Sequence, residues 1–191
     1  HEDDEWVQNI QAQSARLAKL IADLVTLSRL DEEKPFPERT AFSLSDAVWE
    51  VSEPFTALAR AKGKTYEQQI EDGIELTGDR AAIAQMVSLL LDNAVRYADP
   101  GGTIRLALRR SHRRVELEVF DTCTIDERVD LSRLFDRFYR PDASHNAYTG
   151  GTGIGLSIVK ATVEAHGGTI RAIRRKDAPD QPGGLSFLVR F

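Results

Sequence analysis

The chain of 191 residues has a net charge of −5 and is 41% hydrophobic, enough apolar material for one core and too acidic for a general nucleic-acid binder. No apolar run is long enough to span a membrane, no signal peptide is visible, and the lone cysteine, Cys123, excludes an internal disulfide. These features predict a cytoplasmic setting, and the opening on His1-Glu2-Asp3-Asp4 without a methionine reads as a piece of a longer protein.

Residues 3–31 are predicted to form one long helix, with acidic residues in its first turn where the dipole favours them. Ile10, Leu17, Leu20, Leu24 and Leu27 fall at heptad spacing, interrupted by Gln13, and such a seam calls for a partner helix. Packing of the helix on its own domain is the alternative. Two prolines between Glu32 and Thr40 mark a linker. The chain thus divides into a helical segment over 1–34, a linker over 35–42 and a main domain over 43–191.

Ser43 or Ser45 can cap the next helix, which runs to about Lys62 despite Pro54 and is stopped by Gly63. KTYEQQI and GIELTG read as short strands and Asp79–Tyr97 as a strong helix. Thr103–Arg109 and Arg113–Phe120 alternate as strands joined by a turn at Ser111-His112. Periodicity fades over about 121–150 apart from a short helical piece, Leu131–Tyr139, and so long a loop in a compact domain reads as a functional lid. A helix to about His166 follows, then strands near Thr169–Arg175 and Leu185–Phe191. The fold class is α/β: a two-layer sandwich with a mixed, mainly antiparallel sheet packed on helices, preceded by the long N-terminal helix.

Three places could carry chemistry. In YTGGTGIGLSIVKA (Tyr148–Ala161) a glycine-rich loop enters a helix, where free N–H groups and the dipole favour phosphate. It is neither the dinucleotide fingerprint nor a P-loop, and a tight structural turn fits it equally. In the second, Ile83, Met86, Val87, Leu90 and Ala94 form a buried helical stripe. Leu89, Asn93, Arg96 and Tyr97 share a flank roughly 40–140° from that stripe at about 100° per residue. An Asn oxygen suits Mg2+, Arg clamps phosphate and Tyr stacks on a base; local capping and ordinary surface roles are the alternative. In the third, Asp121 ends an apolar strand at the mouth of the lid, where a carboxylate can accept from an exocyclic amine, although many strand-end acids have no task.

Taken together these residues resemble the catalytic, ATP-binding domain of sensor histidine kinases, of the ATPase superfamily shared with gyrase, a heat-shock chaperone and mismatch-repair proteins. Gly78–Ala98 (GDRAAIAQMVSLLLDNAVRYA) is similar to the family's N box and Leu134–Asp142 (LFDRFYRPD) to its F box. GGTGIGLSIVKATVEAHGG is similar to its G2 box, and LIADLVTLSRLD resembles the second helix of its dimerisation and phosphotransfer bundle. The resemblance implies that Gly151, Thr152, Gly153, Ile154, Gly155 and the helix start at Leu156 hold the phosphates of ATP. By the same resemblance Asn93 ligates Mg2+, Arg96 contacts phosphate, Tyr97 stacks near adenine and Asp121 accepts the adenine amino group. Arg140 reaches the phosphates on lid closure, making Asn93 and Arg140 the catalytic candidates. The implied reaction passes the γ-phosphoryl group to a histidine of the partner bundle and then to a response regulator. A homodimer through the N-terminal helix and an upstream membrane anchor in the intact protein are also implied.

Three departures stand out. The acceptor histidine is missing: His1 lies too close to the linker, His112 falls in a turn, His145 in the lid, and His166 before Gly167-Gly168. The acceptor is therefore expected outside this sequence, and with half a bundle the piece is expected to dimerise poorly. The G1 box, Asp-x-Gly-x-Gly in the family, reads Asp121-Thr122-Cys123-Thr124-Ile125. If those positions demand positive φ, Ile125 costs about 1–2 kcal/mol and the reshaped lid base crowds adenine. Cys123 is either a redox switch or a small buried filler. Leu89 stands where relatives carry a second Mg2+-binding Asn or a water-activating Glu, and does neither job. The leading expectation is a kinase core with reduced ATP affinity; the alternative is a degenerate scaffold or phosphatase-type regulator.

Overall fold

The computed structural model describes residues 2–32, 35–36, 39–112, 114–141, 152–176 and 183–191, with side chains from Trp6 onward. The long helix α1 (Glu2–Leu30) leads into β1 (Thr40–Ser43), α2 (Leu44–Ala61), β2 (Thr65–Ile70), β3 (Glu75–Gly78) and α3 (Arg80–Tyr97). There follow β4 (Thr103–Ser111), β5 (Arg114–Asp121), a 3-10 turn at Leu131–Phe135, α4 (Gly155–Ala165), β6 (Thr169–Arg175) and β7 (Gly184–Arg190).

Five strands form one sheet in the order β2-β4-β5-β7-β6, in which only the β2–β4 pair is parallel. The alternation in β4 and β5 puts Ile104, Leu106, Leu108, Leu117 and Val119 on the inner face. They meet Ile83, Met86, Val87, Leu90 and Ala94 of α3, and Val159 and Val163 of α4, in one core. On the other face Glu116 bonds Arg109 and Arg190 while Glu118 bonds Arg175.

Ser43 is the residue that caps α2, accepting from the Asp46 N–H at 3.2 Å. Ser45 instead ties the neighbouring loop, donating to the Glu71 carbonyl and accepting from the Ile74 N–H. Gly63, at φ +66°, takes the left-handed conformation that ends the helix.

Two elements differ from the sequence reading. Thr40–Ser43, placed there across the end of the linker, pairs as β1 with β3; its four residues are too few to show a period. The helical piece expected to reach Tyr139 stops at Phe135, after one 3-10 turn capped by Asp130. Helix α1 divides its stripe: Leu27 is buried and, with Leu20 and Leu30, packs on Ile154, Ile158 and Leu89. Higher up, Ile10 and Leu17 stay exposed, at 61% and 59%. The foot of the helix therefore packs on its own domain and the upper seam does not.

Candidate functional site

Between α3, α4 and the end of β5 lies a cavity of about 410 Å3. Helix α3 is fixed at its start by Asp79, which accepts from the Ala82 N–H at 2.9 Å. Because its apolar stripe lies on the sheet, the adjoining flank turns toward the opening, and Leu89, Asn93, Arg96 and Tyr97 all line it. Asn93 is half-buried, Arg96 is exposed and Tyr97 sits at the rim.

Thr152, Gly153, Gly155 and Leu156 line the opposite wall, together with Arg140. Gly151 lies outside the described residues, as do His1, His145 and the lid segment 142–150. Ile154 is fully buried against Leu27 and Ile158, so its side chain belongs to the contact with α1 and not to the cavity. No side chain caps the N-terminus of α4, which leaves its backbone N–H groups available to an anion. Gly153 has φ +72°, and a Cβ there would stand 3.0 Å from the Phe138 Cα. Its carbonyl accepts from the Phe138 N–H at 2.9 Å, and Phe138 itself has φ +64°. The base of the lid and the glycine loop thus touch backbone to backbone, which only glycine permits.

Asp121 lies at the deep end, 1% exposed. Neither carboxylate oxygen has an N–H or O–H partner among the described residues, and the neighbouring Cys123 thiol is only a weak donor. Burial pushes its pKa up to about 7; the Cys123 thiol and the Lys64 ammonium pull it down and Asp99 raises it. An unpaired buried carboxyl costs free energy unless a donor arrives. Burial likewise pushes the Cys123 thiol up to about 12, which disfavours the thiolate; the side chain packs partly buried against the core.

The strain foreseen at the lid base is absent. Among described non-glycine residues only His112 and Phe138 have positive φ, so Cys123 and Ile125 sit in ordinary backbone and need no glycine. Both line the cavity wall without closing it. Leu89 has a task that the sequence did not disclose: it bridges the main core and the Leu27–Ile154–Ile158 cluster.

Residues missed in the sequence complete the site. Lys19 and Asp23 of α1 line the cavity, and the Thr152 hydroxyl donates to Asp23 at 3.3 Å; a helical pattern does not disclose where the helix docks. Asp99 follows α3 and its N–H donates to the Thr122 carbonyl at 2.8 Å, tying the end of α3 to the end of β5. The run Asp99-Pro100-Gly101-Gly102 was the available signal for so tight a junction.

Comparison with known proteins places this arrangement. The family described as "Histidine kinase-, DNA gyrase B-, and HSP90-like ATPase" matches residues 78–191. The sensor protein DltS of Streptococcus agalactiae is 34% identical over 172 residues, covering 90% of this chain and 43% of DltS. The signal transduction histidine-protein kinase BaeS of Escherichia coli is 32% identical over 187 residues, covering 98% and 39%. The chain thus spans less than half the length of these relatives. In fold it is similar to the histidine kinase ThkA, solved in complex with the response regulator protein TrrA. The TM-score is 0.73 at 20% identity, covering 97% of this chain and 50% of ThkA.

Proposed function

The chain belongs to the histidine kinase-, DNA gyrase B- and HSP90-like ATPase family, and from that premise we propose that its cavity binds ATP with Mg2+ as the kinase core of a two-component sensor. The observation that carries this reading is Asp121, a buried carboxylate on a cavity wall without an N–H or O–H partner among the described residues. An adenine amino group supplies the donor it lacks. Tyr97, 37% exposed at the rim, offers a ring for stacking.

The phosphates fall to the uncapped start of α4, where Gly153 and Gly155 keep side chains away from the backbone N–H groups. Arg96 and Arg140 supply cationic contacts. Asn93 provides a hard oxygen for Mg2+, which when bound neutralises phosphate charge. Leu89 offers neither an oxygen to the metal nor a base to water, which favours a protein acceptor over hydrolysis. That acceptor is a histidine outside this chain, and the P–O bond to ADP breaks as a P–N bond forms to its imidazole. Helix α1 corresponds to the second helix of the acceptor bundle and, in the intact protein, pairs with a second copy along its exposed edge of Trp6, Ile10 and Leu17. A response regulator, the kind of partner seen with ThkA, receives the phosphoryl group next. Among the described residues no helix is long and apolar enough to cross a membrane, and a cytoplasmic location suits an ATP-consuming domain. A degenerate pocket has against it the open cavity and the relaxed backbone at Cys123 and Ile125.

Titration with a fluorescent ATP analogue tests the reading. Saturable binding strengthened by Mg2+, with the Mg2+ effect lost in N93A, is the expected result. No saturation at millimolar nucleotide overturns it. A large affinity gain on combining L89N, C123G and I125G would mark the pocket as degenerate.

A further inference from the structure

Lys64 lies outside the sequence motifs and does not line the cavity, yet its ammonium is bonded to the α3 wall of the adenine end. Its ammonium donates to the Val95 carbonyl and to the Ala98 carbonyl, each at 2.6 Å. These carbonyls lie in the last turn of α3 and at its C-cap, Ala98, where the helix leaves acceptors unpaired and its dipole favours a cation. That turn carries Arg96 and Tyr97. The next residue of the chain, Thr65, donates its N–H to the Gly102 carbonyl at 2.9 Å, and Gly102 in turn donates to the Asp99 carbonyl. One lysine at the start of β2 therefore clamps the end of α3 and the loop after it.

The charges around Lys64 point the same way. Burial lowers its pKa, opposed by the negative charges of Asp121 and Asp99, while Lys62 repels it. Among the described residues that act on Asp121, Lys64 is the cation, Cys123 is a thiol and Asp99 a second acid. A bare acid pair at Asp121 and Asp99 favours protonation of the buried member, and a protonated Asp121 is the weaker acceptor for an amine.

We propose that Lys64 is a positioning residue for nucleotide recognition: it caps α3 so that Tyr97 is held at the rim, and its charge keeps Asp121 an acceptor for the base. This rests on the reading of the cavity as an ATP site, but the coupling between Lys64 and Asp121 is a property of the free protein. It distinguishes two roles for one side chain. A purely structural cap affects nucleotide affinity equally at every pH; a charge acting on Asp121 affects it most below the Asp121 midpoint and not at all well above it.

The test follows the Asp121 carboxyl carbon by NMR against pH in nucleotide-free protein, in wild type, K64M, K64Q and K64R. The K64Q variant keeps a donor for the carbonyls but loses the charge, so it remains informative if K64M does not fold. The Asp121 midpoint is expected to move upward by about half a unit or more in K64M and K64Q and to return in K64R. Analogue affinity should then fall about two-fold or more in K64Q near neutral pH, with the deficit shrinking as pH rises. An unmoved midpoint in folded K64Q, or a deficit independent of pH, overturns the proposal. A shifted midpoint in a protein whose wild type binds no analogue leaves the Lys64–Asp121 coupling standing and removes the ATP reading instead.

Discussion

The Thr152 hydroxyl donates to the Asp23 carboxylate at 3.3 Å, joining helix α1 to the glycine loop across 129 positions of sequence. Two further contacts seat the same helix. Leu27 is buried with Ile154 and Ile158 at the start of α4, and Arg137 grips Asp31 through both carboxylate oxygens at 2.8 Å. The helix that resembles half of a phosphotransfer bundle thus rests on the loop assigned to phosphate. Its foot brings one carboxylate, Asp23, and one ammonium, Lys19, to the cavity.

Asp23 is an acidic residue beside the loop proposed to hold phosphate, so on that reading it opposes a triphosphate. Asp23→Asn keeps an acceptor for Thr152 and removes the charge. Affinity for an ATP analogue is expected to rise a few-fold, corresponding to roughly 0.5–1 kcal/mol, on removing this buried carboxylate from the cavity wall. The gain should shrink in high salt. Calorimetric titration at two ionic strengths checks it; an unchanged or weaker affinity would remove Asp23 from the site.

The docking of α1 is carried by apolar burial rather than by its ion pair. Leu27 is 2% exposed, and Leu27→Ala is expected to cost the docked helix about 2–3 kcal/mol. Arg137→Ala breaks a pair whose side chains are 50% and 55% exposed and should cost under about 1 kcal/mol. Hydrogen exchange reads the difference: protection along the lower half of α1 falls sharply in L27A and little in R137A, while β4 and β5 keep theirs. Equal losses would place the docking energy in the ion pair.

Local signals made the fold and the cavity walls legible in advance. The stripe from Ile83 to Ala94 placed its neighbours Asn93, Arg96 and Tyr97 on a common flank, because helical geometry alone fixes what lies beside a buried face. Asp121 was visible as the end of an apolar alternation. What sequence could not supply is non-local. The φ values of Cys123 and Ile125 depend on how the chain leaves β5, and the substitution of glycines did not reveal that ordinary backbone serves there. Leu89 read as a missing ligand, whereas it packs beneath α1, a contact set by the docking of an element some sixty residues earlier in the chain. Lys64 carried no motif because it acts through carbonyls, which every residue has.

Asp121 sets a trade between stability and binding. Its folded carboxyl titrates near 7 against a reference of 3.8, so between these values the folded protein holds a proton that the unfolded chain has released. Stability therefore falls as pH rises from about 4 to about 7, and the full penalty, on the order of 4 kcal/mol, is present above that window. Asp121→Asn removes it: unfolding temperature is expected to rise at pH 8 and to match wild type near pH 4. Nucleotide works in the opposite sense, since an amine donor favours the charged carboxylate. Analogue binding by wild type should tighten as pH rises through about 7, and D121N should lose both affinity and that dependence. Thermal unfolding and titration at matched pH values check both arms; a D121N protein less stable than wild type at pH 8 would mean that Asp121 has a partner in solution.

The two glycines of the described loop differ in what they permit. Gly153 combines φ +72° with a Phe138 backbone that a Cβ would meet at 3.0 Å. Gly153→Ala therefore strains the backbone by about 1–2 kcal/mol, and it also pushes against main-chain atoms that have nowhere to retreat. The hydrogen bond from the Phe138 N–H to the Gly153 carbonyl is then lost or lengthened, and with it the seat of Arg140 two residues further on. At Gly155 an added Cβ meets only the Leu89 Cδ2, at 3.6 Å, an ordinary contact, in a residue that opens a helix, where alanine is favoured over glycine. Gly155→Ala should fold at least as well as wild type, whereas G153A should unfold at lower temperature and bind an ATP analogue more weakly. Because the methyl of G155A also stands near the N–H groups assigned to phosphate, its affinity separates the two demands on the loop. Unchanged affinity places the phosphates clear of residue 155, and a loss without any drop in unfolding temperature places them against it.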